Sequence, residues 1–467
     1  MALPKLKDPR GNLVLFTYDA AESSTRRTAP KTLLVGSDDD LYDSRRRRLV
    51  ATARDLRNNL SLCVWAINRH LDYVSDFSFQ SRSGDDDTDK LLEGLMTEWS
   101  KPENCDASGR HSLSDLTRMA EECRTVDGDV GMMKLATGAL QPIMGDRVRD
   151  QFSTLSSIRG NVDNIYHGIK VDDAMRPLEY YVHRRTRSTS GGFEFQKAVP
   201  AEWMFWHGFY RDPEQVRGIS PLAASINTFR DVYEANDYTL TKMKLSQYFG
   251  LTFYREAMGS VAPEVTKNDS EDDTAGYEVD FKKGPVVLDL DAGDRAEFLE
   301  SKTPSTEFQN YLNVAISLAL KALDIPYSFF DESWTNYSGA RQALVMYEQS
   351  AKSKRRAVAK LLNGITAWRV SQWILDGKID PKAPLKYEWV PAGIPWIDPL
   401  KEAQGNIAML AAGVTSRQRI CKSRGEDFFE IAAELDKEEE IRPSLKVPVP
   451  VPAEPSAPEA PQPRKRK

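Results

Sequence analysis

The chain reads as an α+β protein, mainly helical, and three observations lead there. A proline-free stretch from Tyr337 to Ile374 repeats its apolar residues at helical spacing; short β-leaning runs cluster between Gly128 and Phe209; and two further helical patterns flank a strand-rich insert between about 250 and 304. At 467 residues the chain exceeds one ordinary core, and two or three domains are expected. Its 40% hydrophobic and 28% charged content fits a folded protein, and a net charge of −6 excludes one that coats nucleic acid through a generally basic surface.

Residues 1–48 are polar, with Asp38, Asp39 and Asp40 followed by Arg45 to Arg48, and predict an arm able to wrap a neighbour. Leu49, Ala53, Leu56, Leu60, Val64, Ile67 and Leu71 then mark a helix. The polar Gln80–Asp89 segment predicts a loop. LLEGLMTEWSK and SLSDLTRMAEECRTV predict two helices, the second opened by Ser112 and Asp115 as a capping pair. From Gly128, DVGMMKLA, ALQPIMG, NIYHGIKVD and PLEYYVHRR read as strands separated by turns, and Trp203, Phe205 and Phe209 alternate as on a half-buried strand. Ser220-Pro221 has the form of a helix start, and EFQNYLNVAISLALKAL, behind Ser305, reads as a helix stopped by Pro326.

In the long segment, Leu344, Tyr347, Ala351, Val358, Leu361, Ile365 and Trp368 form one apolar face, and an unbroken helix there spans about 57 Å. Its middle carries Lys352, Lys354, Arg355, Arg356 and Lys360, a band suited to a solvated or subunit-bridging face, or to nucleic acid. Prolines 381–399 imply extended chain. Two small helical patterns follow, before a Pro-rich tail with polyproline character.

Catalytic signatures are missing. There is no phosphate-binding glycine loop, no H-E-x-x-H and no G-x-S-x-G, and the five histidines never fall at metal-ligand spacing. His207 is expected to be packed rather than basic. Asp289, Asp291 and Glu300 match a calcium loop only in part, since Gly293 and Asp294 break it. The four cysteines are scattered, which suits a reducing compartment, and no stretch has the length of a signal peptide or membrane span. The expectation is a non-enzymatic protein without cofactor or metal, assembled in a cytoplasm.

Six segments in unbroken order resemble the lambda-type family of tailed-phage portal proteins. They are RDLRNN (Arg54–Asn59), GALQPIMGDRV (Gly138–Val148), HGIKVDDAMRPLEYYV (His167–Val182), AVPAEWMFWHGFYRDPEQVRGISPL (Ala198–Leu222), NYSGARQAL (Asn336–Leu344) and the run from Trp389 to Ile431. The chain departs from the family pattern with Glu214 where a turn glycine is usual, and with LDAGD in a second turn.

The resemblance implies a portal-like wing, stem, clip and crown around a long helix, assembled as a ring, usually of twelve, at one capsid vertex of a virion. Laid on this chain it implies an arm (1–48), a wing (49–219), stem helices (220–250 and 305–325) around a clip (251–304), and a channel loop (326–336). The long helix and its return (337–398), a crown (399–441) and a disordered tail (442–467) complete it. The channel loop would hold Asp331, Glu332, Ser333, Trp334, Thr335 and Asn336, acidic and without lysine or arginine. The implied partners are further copies of the chain, double-stranded DNA, the terminase large subunit, a head-tail adaptor and the major capsid or scaffold protein, with no membrane. Two other readings stand beside it: a metal-dependent nucleic-acid-processing enzyme using the acidic 268–294 region, and a helical scaffold unrelated to DNA.

Overall fold

The structure is a computed structural model, and it describes residues 43–150, 164–186, 192–248, 251–255, 294–298, 305–331, 337–393 and 398–445. The long helix, the strands between Gly128 and Phe209 and the helices on either side of the 250–304 segment are all present. The chain divides into two compact units. The first comprises Met1–His70, Glu122–Gly131 and Ile143–Tyr347, and the second Leu71–Glu121, Met132–Pro142 and Glu348–Lys467.

In chain order the structure begins with α1 (Asp43–Asn59) and α2 (Ser61–Val74), then β1 (Phe77–Ser81), α3 (Asp86–Trp99) and α4 (Leu113–Val126). The strands β2 (Asp129–Lys134), β3 (Leu140–Met144), β4 (Ile165–Tyr166), β5 (Ile169–Val171), β6 (Pro177–Arg185), β7 (Phe193–Pro200) and β8 (Met204–Gly208) follow. Next come α5 (Ile226–Tyr248), β9 (Leu251–Arg255), β10 (Asp294–Phe298), α6 (Thr306–Leu320) and α7 (Tyr337–Leu375). The chain closes with β11 (Tyr387–Pro391), α8 (Pro399–Ala411), α9 (Arg417–Ser423) and α10 (Phe428–Leu445). Sheets run in the orders β1-β11, β10-β9, β3-β2-β8 and β4-β5-β6-β7.

In the first unit, β6 and β7 pair antiparallel from Glu179 opposite Pro200 to Arg185 opposite Phe193. Ser220 caps a short 3-10 turn over Pro221–Ala224 by accepting from the Leu222 amide, and α5 continues from it. Only the first half of α5 is buried: Ile226, Phe229 and Val232 lie in the core, while Tyr233, Tyr238 and Leu240 are exposed. Thus the expected apolar side of this helix is half covered within one protomer. On α6, Ala315, Ile316, Ala319 and Leu320 are buried. The helix ends before Pro326, because Asp324 adopts the left-handed conformation (φ 59°) that terminates a helix.

In the second unit, α7 supplies Ala351, Val358 and Leu362 to a cluster with Val74, against which Tyr73, Phe77 and Trp389 pack. Most of the expected apolar face is buried, Leu344 and Trp368 only partly, and Thr366, Val370 and Trp373 extend it. The capping pair at α4 is reciprocal: the Ser112 amide donates to Asp115 (3.0 Å) and the Asp115 amide to Ser112 Oγ (3.2 Å).

Four sequence expectations change. The helical pattern from Leu49 is two helices, broken at Leu60. The Gln80–Asp89 loop is shorter than expected: Gln80 and Ser81 end β1, and Asp85 caps α3 by accepting from the Thr88 amide, so Asp86, Asp87 and Asp89 sit in its first turn, where acidic groups suit the helix N-terminus. The strand around Trp203 starts one residue later and ends at Gly208, before Phe209, with Met204 and His207 buried and Trp203 exposed. The last helical pattern is two helices, because the chain turns at Gly425 with φ 78°. The acidic 268–273 loop, the strands expected over 277–290 and Asp289, Asp291 and Glu300 of the partial calcium loop lie outside the described residues, while Asp294 opens β10.

Candidate functional site

The densest chemistry in the first unit is a buried charge network. Asp129, at the start of β2, is fully buried. Arg217 grips it from two directions, Nε to Oδ2 at 2.8 Å and Nη2 to Oδ1 at 3.0 Å, and is itself 1% exposed. Arg46 of α1 donates to Oδ1 at 2.9 Å, and the Gly218 amide to Oδ2 at 2.9 Å. Burial alone would push the Asp129 carboxyl up; Arg217, Arg46 and the Gly218 amide outweigh it and hold the group below the usual carboxylate range. Arg217 also donates to the carbonyls of Val148 (3.1 Å), Gly145 (2.8 Å) and His167.

A second node lies beside it. Arg54 donates bidentately to Asp127, both bonds 2.7 Å, and reaches Asp146 at 3.1 Å. Arg185 donates to Asp146 at 2.8 Å. The Asp146 carboxyl, pushed up by burial, is brought below its ordinary range by Arg54 and Arg185.

These contacts explain what the resemblance segments do. Arg54, Gly145-Asp146, Val148, His167 and Arg217-Gly218 come from four separated stretches and meet in one place. The turn DPEQVRG is held by Gln215, whose Oε1 accepts from the Arg211 amide (2.8 Å) and whose Nε2 donates to the Arg217 carbonyl (2.6 Å). Glu214 is exposed and keeps a negative φ, so the turn works without a glycine there. Glycine is needed at 128 and 218 instead: Gly128 has φ 98°, and a Cβ on either would collide with the other's backbone. A network in which each charge is paired latches strands and helices together; it presents no free group for chemistry. Among the described residues no cluster of three or more potential metal ligands exists.

Of the residues expected to line a channel, Asp331 is described and Glu332 to Asn336 are not. Asp331 is half-buried, its amide donating to the Tyr327 carbonyl at 3.1 Å. Phe330 beside it packs edge-on to Trp65 at 5.9 Å. In the basic band, Lys352, Arg356 and Lys360 are exposed and Lys354 is half-buried. Arg355 stands apart: it is 8% exposed and donates Nε to the Tyr73 carbonyl at 2.6 Å, satisfying the C-terminal end of α2.

Apolar side chains on two helices are left bare among the described residues. On α6, Tyr311, Val314 and Leu318 repeat at helical spacing and are 57%, 59% and 60% exposed. On α5, Tyr233, Tyr238 and Leu240 are similarly bare. No helix among the described residues is long and apolar enough to cross a membrane. Neither face was legible before: periodicity finds an apolar stripe without saying which part the same chain covers.

The molecule is thus a charge-latched α+β protein with unpartnered apolar helix faces and no catalytic constellation among the described residues. Residues 24–355 match the family model described as phage portal protein, lambda family, and the chain belongs to that family. It is 23% identical over 389 residues to the probable portal protein of Halomonas phage phiHAP-1, covering 79% of this chain and 73% of that one. Similar solved structures are the neck of an empty gene transfer agent particle (TM-score 0.49, 13% identity, 81% of this chain and 94% of that chain) and the neck of the native particle (TM-score 0.45, 13% identity, 80% and 93%).

Proposed function

We propose that this chain is the subunit of a portal ring, twelve copies closing around a channel at one capsid vertex, through which double-stranded DNA is packaged and ejected. The observation that carries the reading is the family match over residues 24–355. The ring would dock the terminase large subunit first and a head-tail adaptor afterwards, and contact the major capsid or scaffold protein. The bare apolar stripe on α6 and the exposed Tyr233, Tyr238 and Leu240 of α5 support it, since exposed apolar surface of this kind is covered in an assembly. In this reading 220–250 and 305–325 are the stem helices, 251–304 the clip and 399–441 the crown. Lys352, Lys354, Arg356 and Lys360 then lie at a subunit contact.

A conduit must not hold what it conducts. Duplex DNA carries one charge per about 1.7 Å, and each phosphate neutralised adds counterion-release affinity. A channel loop with Asp331 and Glu332, and no lysine or arginine, suits sliding. Asp331→Lys with Glu332→Lys is expected to leave ring assembly intact while impairing packaging or retention of DNA. Unchanged packaging by that variant contradicts the loop's role.

A further inference from the structure

The second unit contains a groove of 340 Å³ that the portal reading does not use. One wall is aromatic, made by Phe77 and Phe79 of β1 and Trp389 of β11, with Leu362 of α7 beneath. Phe79 and Trp389 meet edge-on, their centroids 5.2 Å apart. Two carboxylates, Glu93 on α3 and Glu430 on α10, also line it. Among the described residues neither has a cation partner; Arg82, the nearby arginine, is paired with Glu388 at 3.2 Å and faces Asp427 at 3.9 Å. Burial raises the Glu93 carboxyl against the pull of the Ser81 amide, and the charges of Glu430, Asp89 and Asp427 add to the rise. An aromatic shelf beside carboxylates without a cation partner among the described residues is chemically suited to a proline-rich strand followed by cations.

The chain carries such a strand. After α10 come Pro455, Pro458 and Pro461, then Arg464, Lys465, Arg466 and Lys467. A polyproline helix has three residues per turn, so Pro455, Pro458, Pro461 and Arg464 fall on one edge. Reach is sufficient. From Glu430 to the end of α10 at Leu445 is about 22 Å at 1.5 Å per residue. In a polyproline conformation residues 446–463 would reach about 56 Å at 3.1 Å per residue. We infer that the C-terminal tail docks back into this groove, its Pro455–Pro461 edge on Phe77, Phe79 and Trp389 and its basic end on Glu93 and Glu430. Docking masks four cationic residues that would otherwise be free to seize phosphate, and it would be released by salt or by a competing polyanion.

The test uses the full chain and carboxypeptidase B, which removes C-terminal lysine and arginine, with intact mass as the readout. Removal from the protein is expected to be about tenfold slower than from a free peptide of residues 446–467, because cleavage follows the undocked population. Glu93→Gln with Glu430→Gln restores the peptide's rate, as does the triple change of Pro455, Pro458 and Pro461 to glycine. Glu93→Gln keeps the oxygen that accepts from the Ser81 amide (2.9 Å), so the fold is retained. Trimming at the peptide's rate in the unaltered protein overturns the inference. So does protection that survives both sets of changes, which would mean that assembly, not this groove, shields the tail.

Discussion

Asp129 and Arg217 concentrate the energetics of the first unit in one pair. Removing one member of a buried, hydrogen-bonded ion pair leaves the other charge uncompensated, at a cost of about 3–5 kcal/mol. Asp129→Asn is therefore expected to lower the denaturant midpoint strongly, as followed by circular dichroism in urea. The pH dependence has a definite sign. The Asp129 carboxyl is held below its ordinary range in the folded state, so the stability it contributes is complete above the unfolded value of about 3.9. That contribution is lost as pH falls through the folded value, so the gap between the parent protein and Asp129→Asn is constant at neutral pH and closes only in acid. A midpoint difference that shrinks between pH 8 and 6 contradicts this. The DPEQVRG turn is visible in the sequence but Arg217's partner is not, because 88 residues separate Asp129 from Arg217 and no local pattern links them.

At the scale of elements, local signals were legible and pairings were not. The long helix was expected over Tyr337–Ile374 and runs Tyr337–Leu375, since an unbroken apolar period without proline leaves few alternatives. The Ser112–Asp115 cap was equally readable; Ser112→Ala is expected to destabilise by about 1 kcal/mol, measurable as a small shift in the urea midpoint. By contrast β1 and β11 pair Phe77 with Pro391 and Ser81 with Tyr387, a long-range contact that FSFQS alone does not announce. Arg355 shows the same limit. Within its run of cations it looked like surface, yet it satisfies the Tyr73 carbonyl. Arg355→Ala is expected to cost about 1–3 kcal/mol by stranding that carbonyl, whereas Arg356→Ala, at an exposed position, changes stability by less than about 0.5 kcal/mol. Equal effects from the two arginines, compared by thermal melting, contradict this distinction.

For the whole molecule the question is what covers the bare faces of α5 and α6. Family membership followed from several dispersed segments read together, while ring closure is a property that no single chain's periodicity carries. If identical copies cover Val314 and Leu318, then Val314→Asp with Leu318→Asp abolishes assembly without unfolding the protomer, since both side chains are already exposed in it. The most direct measurement is electron microscopy of the purified protein with its mass in solution. The portal reading predicts closed rings with a central opening wide enough for duplex DNA and a mass near twelve times 52.7 kDa. Monomers or dimers under every assembly condition, with no central opening, contradict it.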